Sequence, residues 1–561
     1  PVPEGWRISE VQDAKAKALA NAAGDSDHAP TVTCELDSDG FEERLVPFPV
    51  ASGPYRSLAA VKDGVVWIEE ADRGGELGAA RAGVTGEAPA DALVHYGFAS
   101  RRIERIVEAV DTFAVSGDGE RLIVRHKDEV SVVPSDHKVD AEDPAHVAVD
   151  LTRLRRRITP RDEWRQMFDE NGRLMATHYW RDDMNGVDWE AVLRRYRPLV
   201  DRIHSVDDLY DILWETVGEL NTSHSYVSPA GLDGDPSLRA GLLGADYGVP
   251  TDDGVPIVRV VPGESSDPLA WSPLRAAGVA VRDGDVIVAV DGNKLGHDLS
   301  LGEALEGSAG HTVELTVRTG DQMRRVAVVP MADEAPLRYH DWVASRRRYV
   351  EERSGGRLGY LHVPDMVSNG WAELHRQIVE ATRHEGVVAD VRFNHGGHTS
   401  QLVVERLSRQ VLGWDFGKWY DTPATYPQNA VRGPIVMVTN QWAGSDGDIV
   451  SAVTQAMGYA PIVGERSWGG VVGIDGRFDL VDGTEVTQPR YAGWYGDYGW
   501  GVENHGVDPD ITVTVRPEDW ESDRDVQLDA AIDYCIAQLG ERPAAIPPAM
   551  PPAAFGGPVE E

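Results

Sequence analysis

The chain has 561 residues, 42% hydrophobic and 26% charged, which is enough for about three or four domains with sizeable cores. A formal net charge of −38 argues against nucleic acid or an anionic membrane as a partner, since both repel it. The two cysteines, Cys34 and Cys535, lie too far apart to build a disulfide framework and fit a reducing cytoplasm, and no apolar run approaches the roughly 18–20 residues of a membrane helix.

Residues 1–145 lack a helical period over most of their length and show short strands separated by turns. SLAAVKDGVVWI at 57–68 and FAVSGDGERLIVR at 113–125 each read as strand, tight turn, strand, and EVSVVP at 129–134 adds a further strand. Such repeats suggest the C-terminal blades of a β-propeller, with a small β-sandwich as the alternative. Two or three blades cannot close a propeller, and the chain opens at Pro1 without Met. The expectation is that the true start and the missing propeller portion lie upstream.

Residues 150–236 turn helical and Arg-rich. One helix starts at Pro160 with Thr159 as its N-cap, and others cover 187–200 and 206–220 by their three- and four-residue apolar spacing. This helical subdomain closes on the polar turn ELNTSHSY at 219–226. Residues 238–331 return to short strands with glycine turns. There VRDGDVIVAVDG at 281–292, with strands over 312–318 and 326–329, resembles a PDZ domain, whose sheet edge receives a peptide. From 332 to 538, strands over 359–362, 386–392 and 435–439 alternate with helices over 371–383, 400–411 and 446–457. That alternation predicts an α/β subdomain with a largely parallel core. The fold class is therefore a multidomain chain of mixed α and β structure, ending in a disordered Pro- and Ala-rich tail over 540–561.

The segment PIVMVTNQWAGSDGDIV at 434–450 carries the most chemistry. A β-branched run ends in a small-residue turn, with Ser445 at the start of a helix, where unpaired N–H groups can stabilise an oxyanion. Equally, Ser445 and Asp446 can be simple helix caps. A serine nucleophile needs a base, and the base needs an orienting partner. His224, between serines in the 219–226 turn, offers the base, and Glu503, in GWGVENHGVDPD at 499–510, offers the orienter; each also reads as an ordinary loop residue. Consecutive glycines in NHGG at 394–397 expose backbone N–H groups suited to half of an oxyanion hole, or form a flexible turn. His395 and His398 have no third ligand in a suitable setting, so no metal and no other cofactor is expected.

Five motifs in order, ELNTSHSYV (219–227), DVRFNHGG (390–397), NQWAGSDGDI (440–449), GERSWGGVVGI (464–474) and GVENHGVDPDI (501–511), resemble those of the tricorn proteases. The resemblance covers residues from about 100 to 538. It implies Ser445 as nucleophile, His224 as general base, Glu503 and Ser223 completing a tetrad, and the Gly397 and Asp446 amides as the oxyanion hole. It also implies that His395 and Gly396, with Gly397, line the substrate strand, and that Asp415 in GWDFG receives a basic side chain just before the scissile bond. The related carboxyl-terminal processing proteases use a lysine in a turn that here reads Trp468-Gly469-Gly470-Val471, so a histidine mechanism is required. The implied function is a cytoplasmic serine endopeptidase cleaving short peptides released by larger proteases. Its implied assembly is a homo-oligomer, hexameric, with downstream aminopeptidases as partners. The rival readings are a catalytically idle peptide-binding scaffold using the PDZ-like and propeller domains, and an esterase-like hydrolase sharing Ser445.

Overall fold

The structure is a computed structural model that describes residues 48, 50, 52–71, 89–231, 234–267, 269–475, 478–522 and 524–550. Residues 1–47, with Cys34, and 72–88 of the expected propeller segment, and residues 551–561 of the expected tail, lie outside the described residues. The chain divides into two compact units, Pro1–Glu70 with Ala90–Val149, and Ala71–Pro89 with Asp150–Glu561.

In the first unit, the alternating strand sequences form two antiparallel sheets of four strands each, with neighbours in sequence paired in order. One contains Tyr55–Val61, Gly64–Glu69, Ala92–Gly97 and Arg102–Val107; the other contains Thr112–Val115, Arg121–His126, Glu129–Pro134 and Val147–Ala148. The Asp-Gly turn behaves as its sequence predicts, since Asp63 takes φ 58° and Val61 pairs with Gly64. Val66, Ile68, Leu93, Leu122 and Val124 share one apolar cluster. Two consecutive four-stranded meanders have the plan of propeller blades.

The second unit opens with helices Pro160–His178, Trp189–Val200 and Val206–Gly218. Thr159 precedes the first but forms no side-chain cap bond, so Pro160 sets that start by its fixed φ. The third is secured by a capping box of Ser205 and Asp208 and stops at Gly218, two residues short of the predicted end. Met167, Phe168, Leu209 and Leu213 form the core of this bundle together with Leu480 and Val486, far along the chain. Strand Val227–Ser228 pairs with Glu485–Val486, and this stitch fixes the segment that bears His224 against the α/β subdomain.

The PDZ-like segment is an antiparallel sheet built on Ala245–Tyr247, Val255–Val260, Val286–Val290, Val313–Thr319 and Gln322–Val328, around Ile257, Ile287, Leu315 and Val317. Its last strand begins at Gln322, earlier than the predicted 326, because Thr319 pairs with Gln322 across a two-residue turn. Met323 and Arg325 lie outside the apolar pattern that gave the later start.

The α/β subdomain holds a five-stranded, wholly parallel sheet in the order Leu358–His362, Gly386–Asp390, Ile435–Thr439, Ile462–Gly464, Ile511–Thr512. Successive residues face opposite layers. Val387, Ala389, Ile435 and Met437 join one core, and Val388, Val436, Val438 and Val463 the other, as expected of a sheet covered on both faces. The helix predicted over 400–411 ends at Leu407, after which the chain leaves for a separate hairpin of Gly413–Asp415 with Ala424–Tyr426. The start of the predicted tail is docked rather than free. The last helix runs Val526–Glu541, Ala544 packs on the core, and the Ala545 N–H donates to Arg432 O at 2.7 Å. Cys535, on that helix, is fully buried, and burial pushes its thiol up to about 12, so it is inert. Among the described residues no helix is long and apolar enough to cross a membrane.

Candidate active site

Strand Ile435–Thr439 delivers the chain to the C-terminal edge of the parallel sheet, and helix Asp446–Met457 leaves from it. Between them Ser445 takes φ 58° and ψ −122°, a region an L residue occupies at a cost of about 1–3 kcal/mol. Bonds on both sides hold it there: Gly444 N–H to Asn394 O at 3.0 Å, Gly447 N–H to Gly444 O at 2.8 Å and Asp448 N–H to Ser445 O at 2.9 Å. The Ser445 side chain forms no cap bond. The Asp446 carboxylate turns instead to the neighbouring helix Ser400–Leu407, accepting the Ser400 N–H at 2.8 Å and the Ser400 hydroxyl. The capping alternative therefore has no side-chain bond to its own helix behind it, and the hydroxyl stands at a helix N-terminus.

Across from it lies the Asn394–Gly397 turn. A Cβ on Gly396, which has φ 78°, would fall 2.5 Å from the Ser445 Cβ, so only glycine admits so close an approach. Asn394 is fully buried and builds the turn: its amide nitrogen donates to Val363 O at 2.8 Å and its side-chain oxygen accepts the Gly396 N–H at 2.9 Å. Asn440 pins the other approach, accepting from the Phe393 N–H at 3.0 Å and the Trp442 N–H at 3.2 Å. Among the described residues, neither the Gly397 nor the Asp446 N–H finds a backbone or side-chain acceptor. Gly396→Ala is expected to displace Ser445 and to slow its covalent labelling by a fluorophosphonate at least tenfold.

The second half of the site comes from the 219–226 turn. The Ser223 N–H donates to Glu503 Oε1 at 2.7 Å, and its hydroxyl lies 3.0 Å from both Glu503 Oε2 and His224 Nδ1. Glu503 also accepts the Val471 N–H at 2.8 Å and the Val472 N–H at 3.0 Å. A carboxylate only accepts, so the single Ser223 hydroxyl proton goes to Glu503, and Ser223 Oγ accepts from Nδ1–H. That assignment leaves His224 Nε2 unprotonated and free to act as a base. His224 is 8% exposed, with the rings of Trp468 at 5.3 Å and Tyr226 at 5.7 Å both edge-on to its own. Burial pulls the His224 pKa below the ordinary histidine value, against a smaller upward push from Glu503, so the ring is neutral at pH 7. Buried Thr487 fixes the backbone here, giving its hydroxyl proton to His224 O and accepting the Tyr226 N–H at 2.8 Å.

Trp468 joins the two halves. Its backbone N–H donates to Ala443 O at 3.0 Å, its ring crowds Gly444, where a Cβ would lie 2.7 Å from it, and it also stands edge-on to the His224 ring. Among the described residues no hydrogen bond joins Ser445 to His224; bonds of this kind commonly tighten only when substrate is bound.

Thus Ser223, His224 and Glu503 are in direct contact, and Ser445 with Gly396 forms a second contact group flanked by Gly397 and Asp446. His395 is exposed, with its N–H on Pro364 O at 3.0 Å. Asp415 is exposed on the separate hairpin opposite Ala424, and among the described residues no hydrogen bond joins it to the others. Among the described residues no group of three or more His, Cys, Asp or Glu side chains could hold a metal ion. Sequence reasoning missed Asn394, Asn440, Thr487 and the role of Trp468. The only signal for the asparagines was their place at the ends of two adjacent strands, and Thr487 had none.

Three family models match the chain: the tricorn protease C1 domain over 160–218, the tricorn protease PDZ domain over 241–333, and peptidase family S41 over 357–513. The chain is 53% identical over 523 residues to tricorn protease homolog 1 of Streptomyces coelicolor, a match covering 92% of this chain and 49% of that protein. With putative tricorn protease homolog 2 of the same organism the identity is 42% over 522 residues, covering 91% and 44%. A crystal structure of the tricorn protease matches with a TM-score of 0.80 at 31% identity, covering 91% of this chain and 49% of that one. The chain spans about half the length of these relatives.

Proposed function

The chain belongs to the tricorn protease family, and we propose that it is a serine endopeptidase that cleaves peptides through an acyl-enzyme. Ser445 Oγ attacks the scissile carbonyl while His224 Nε2 takes its proton; the imidazolium then protonates the leaving amine, and water reverses the sequence to free the acid. Glu503, acting through the Ser223 hydroxyl, holds Nδ1–H and stabilises the imidazolium. The Gly397 and Asp446 amides receive the oxyanion, and His395, Gly396 and Gly397 line the substrate strand. The observation that carries this reading is the Ser223 hydroxyl between Glu503 and His224, which fixes the tautomer a general base needs.

The test is covalent labelling of Ser445 by a fluorophosphonate, with peptide turnover measured alongside. Folded protein that neither labels nor cleaves would instead be the idle peptide-binding scaffold, and ester turnover without amide turnover would point to an esterase.

In this reading the domains are propeller blades to 145, a helical catalytic subdomain over 150–236, a PDZ-like domain over 238–331 and the α/β catalytic subdomain over 332–538. The protein works in the cytoplasm as a homo-oligomer, hexameric, on peptides made by larger proteases, and passes its products to aminopeptidases. Sedimentation velocity tests the assembly. Asp415 favours Arg or Lys before the cut. Because its carboxylate is exposed, Asp415→Asn is expected to lower cleavage after basic residues by roughly threefold to fivefold and to spare other cleavages. An equal loss after basic and apolar residues would show that Asp415 supports the fold rather than reading the side chain.

A further inference from the structure

The segment Trp468–Val472 lies between the two halves of the site, and its N–H groups are divided between two carboxylates. Gly469 and Gly470 donate to Asp448 at 2.8 and 3.2 Å, and Val471 and Val472 donate to Glu503 at 2.8 and 3.0 Å. Asp448 belongs to the first turn of the helix that begins after Ser445, is fully buried, and also accepts the Ser467 hydroxyl. Its side chain therefore serves this segment first, and the backbone N–H of Ser445, at the start of its own helix, adds a smaller pull on the same carboxylate. Four successive N–H groups thus span the distance from the Ser445 helix to the acid behind His224, and Trp468, just before them, packs its ring against both Gly444 and His224.

We propose that Asp448 is a positioning residue for the reaction, holding 467–470 so that Trp468 and Glu503 set His224 in line with Ser445. This rests on the serine-peptidase reading above.

The local sequence is fitted to that task. Gly469 has φ 91°, and a Cβ there would lie 2.5 Å from Gly506 N, while one on Gly470 would lie 2.2 Å from the Trp468 ring. The Asn504 N–H donates to Gly469 O at 2.7 Å, so the segment is strapped to the Glu503 loop as well. Burial pushes the Asp448 carboxyl up to about 6 in spite of its donors, which leaves it ionised at pH 7, where charge-assisted bonds to N–H groups are strongest. No other side chain joins the nucleophile's helix to this segment among the described hydrogen bonds.

Asp448→Asn keeps the size of the side chain but turns an NH2 toward donors. In the full chain, kcat and the rate of fluorophosphonate labelling at Ser445 are expected to fall thirtyfold or more, with KM within threefold of wild type. Asp448→Asn removes from the acid limb the carboxyl that titrates at about 6, and the part that belongs to His224 is expected to move to higher pH, because a loosened Trp468 admits water to a ring whose pKa burial holds down; the groups facing that ring are Ser223 with Glu503 behind it, Tyr226 and Trp468. Should Asp448→Asn fail to fold, Ser467→Ala decides, since it removes one donor without stranding the charge; a smaller loss of kcat in the same direction is expected. A reactive wild type matched in kcat and pH profile by folded Asp448→Asn, or by Ser467→Ala where the first variant does not fold, overturns this proposal alone. A loss appearing wholly in KM overturns it too. A wild type that neither labels nor cleaves overturns the peptidase reading and this proposal with it.

Discussion

Ser445→Ala is expected to eliminate fluorophosphonate labelling and to lower peptide turnover by about 10⁴-fold to 10⁶-fold, the range seen when a serine nucleophile is removed from a working site. The fold should not notice. A serine that caps a helix contributes about 1 kcal/mol, but the Ser445 hydroxyl makes no cap bond, so even that loss is not expected. What remains in the variant is the φ of 58°, which alanine tolerates no better than serine. Thermal unfolding of the two proteins should therefore superpose while their activities differ by orders of magnitude. Turnover within tenfold of wild type would remove Ser445 from the mechanism. A clear fall in unfolding temperature with the loss of activity would make its role structural.

The parts of this molecule that could be read in the sequence are those whose signal is local. Helix Asp446–Met457 fell on its predicted bounds because a strand, a glycine turn and a 3.6-residue period follow one another without a break. Three of the five parallel strands were legible because burial on both faces makes them continuous apolar runs, whereas Ile462–Gly464 and Ile511–Thr512 are too short to carry such a signal. The hairpin strand Gln322–Val328 was clipped in prediction because its exposed residues carry no pattern, and its register is set by the partner strand. In the site, Ser445, His224 and Glu503 were reached through motifs, yet nothing in those motifs says that Ser223 lies between the other two. That arrangement depends on a pairing between Val227–Ser228 and Glu485–Val486, more than 250 residues apart by their numbers. Asp448 shows the same limit. As an acid in the first turn of a helix it looks like a partner for the helix dipole, and only the tertiary structure shows its carboxylate turned to Gly469 and Gly470.

His224→Ala is expected to reduce kcat by about 10⁴-fold or more while peptide binding persists, because the oxyanion donors and the substrate strand remain in place. The pH dependence separates a base from a merely well-packed ring. His224 is nearly buried, and burial lowers its pKa more than Glu503 raises it, so the acid limb of kcat/KM should have its midpoint below the ordinary value of about 6.5 and the rate should be level at neutral pH. The same shift carries a stability consequence of fixed sign. The unfolded chain binds the proton more tightly than the folded one, so the stability contributed by His224 is present above the unfolded pKa, about 6.5, and is lost as pH falls through the lower folded value. His224→Gln, which does not titrate, should lose less stability than wild type when the pH is taken down through that window. Two measurements then bear on one residue: a rate profile that loses its acid limb in the glutamine variant, and a stability profile that flattens over the same interval. If the acid limb survives unchanged in His224→Gln, another group sets it, either Asp448, whose carboxyl burial pushes up to about 6, or a different base. His505 is the next candidate by sequence, although it is 45% exposed and its ring already bonds Asp508 at 2.7 Å, which leaves it solvated and committed elsewhere.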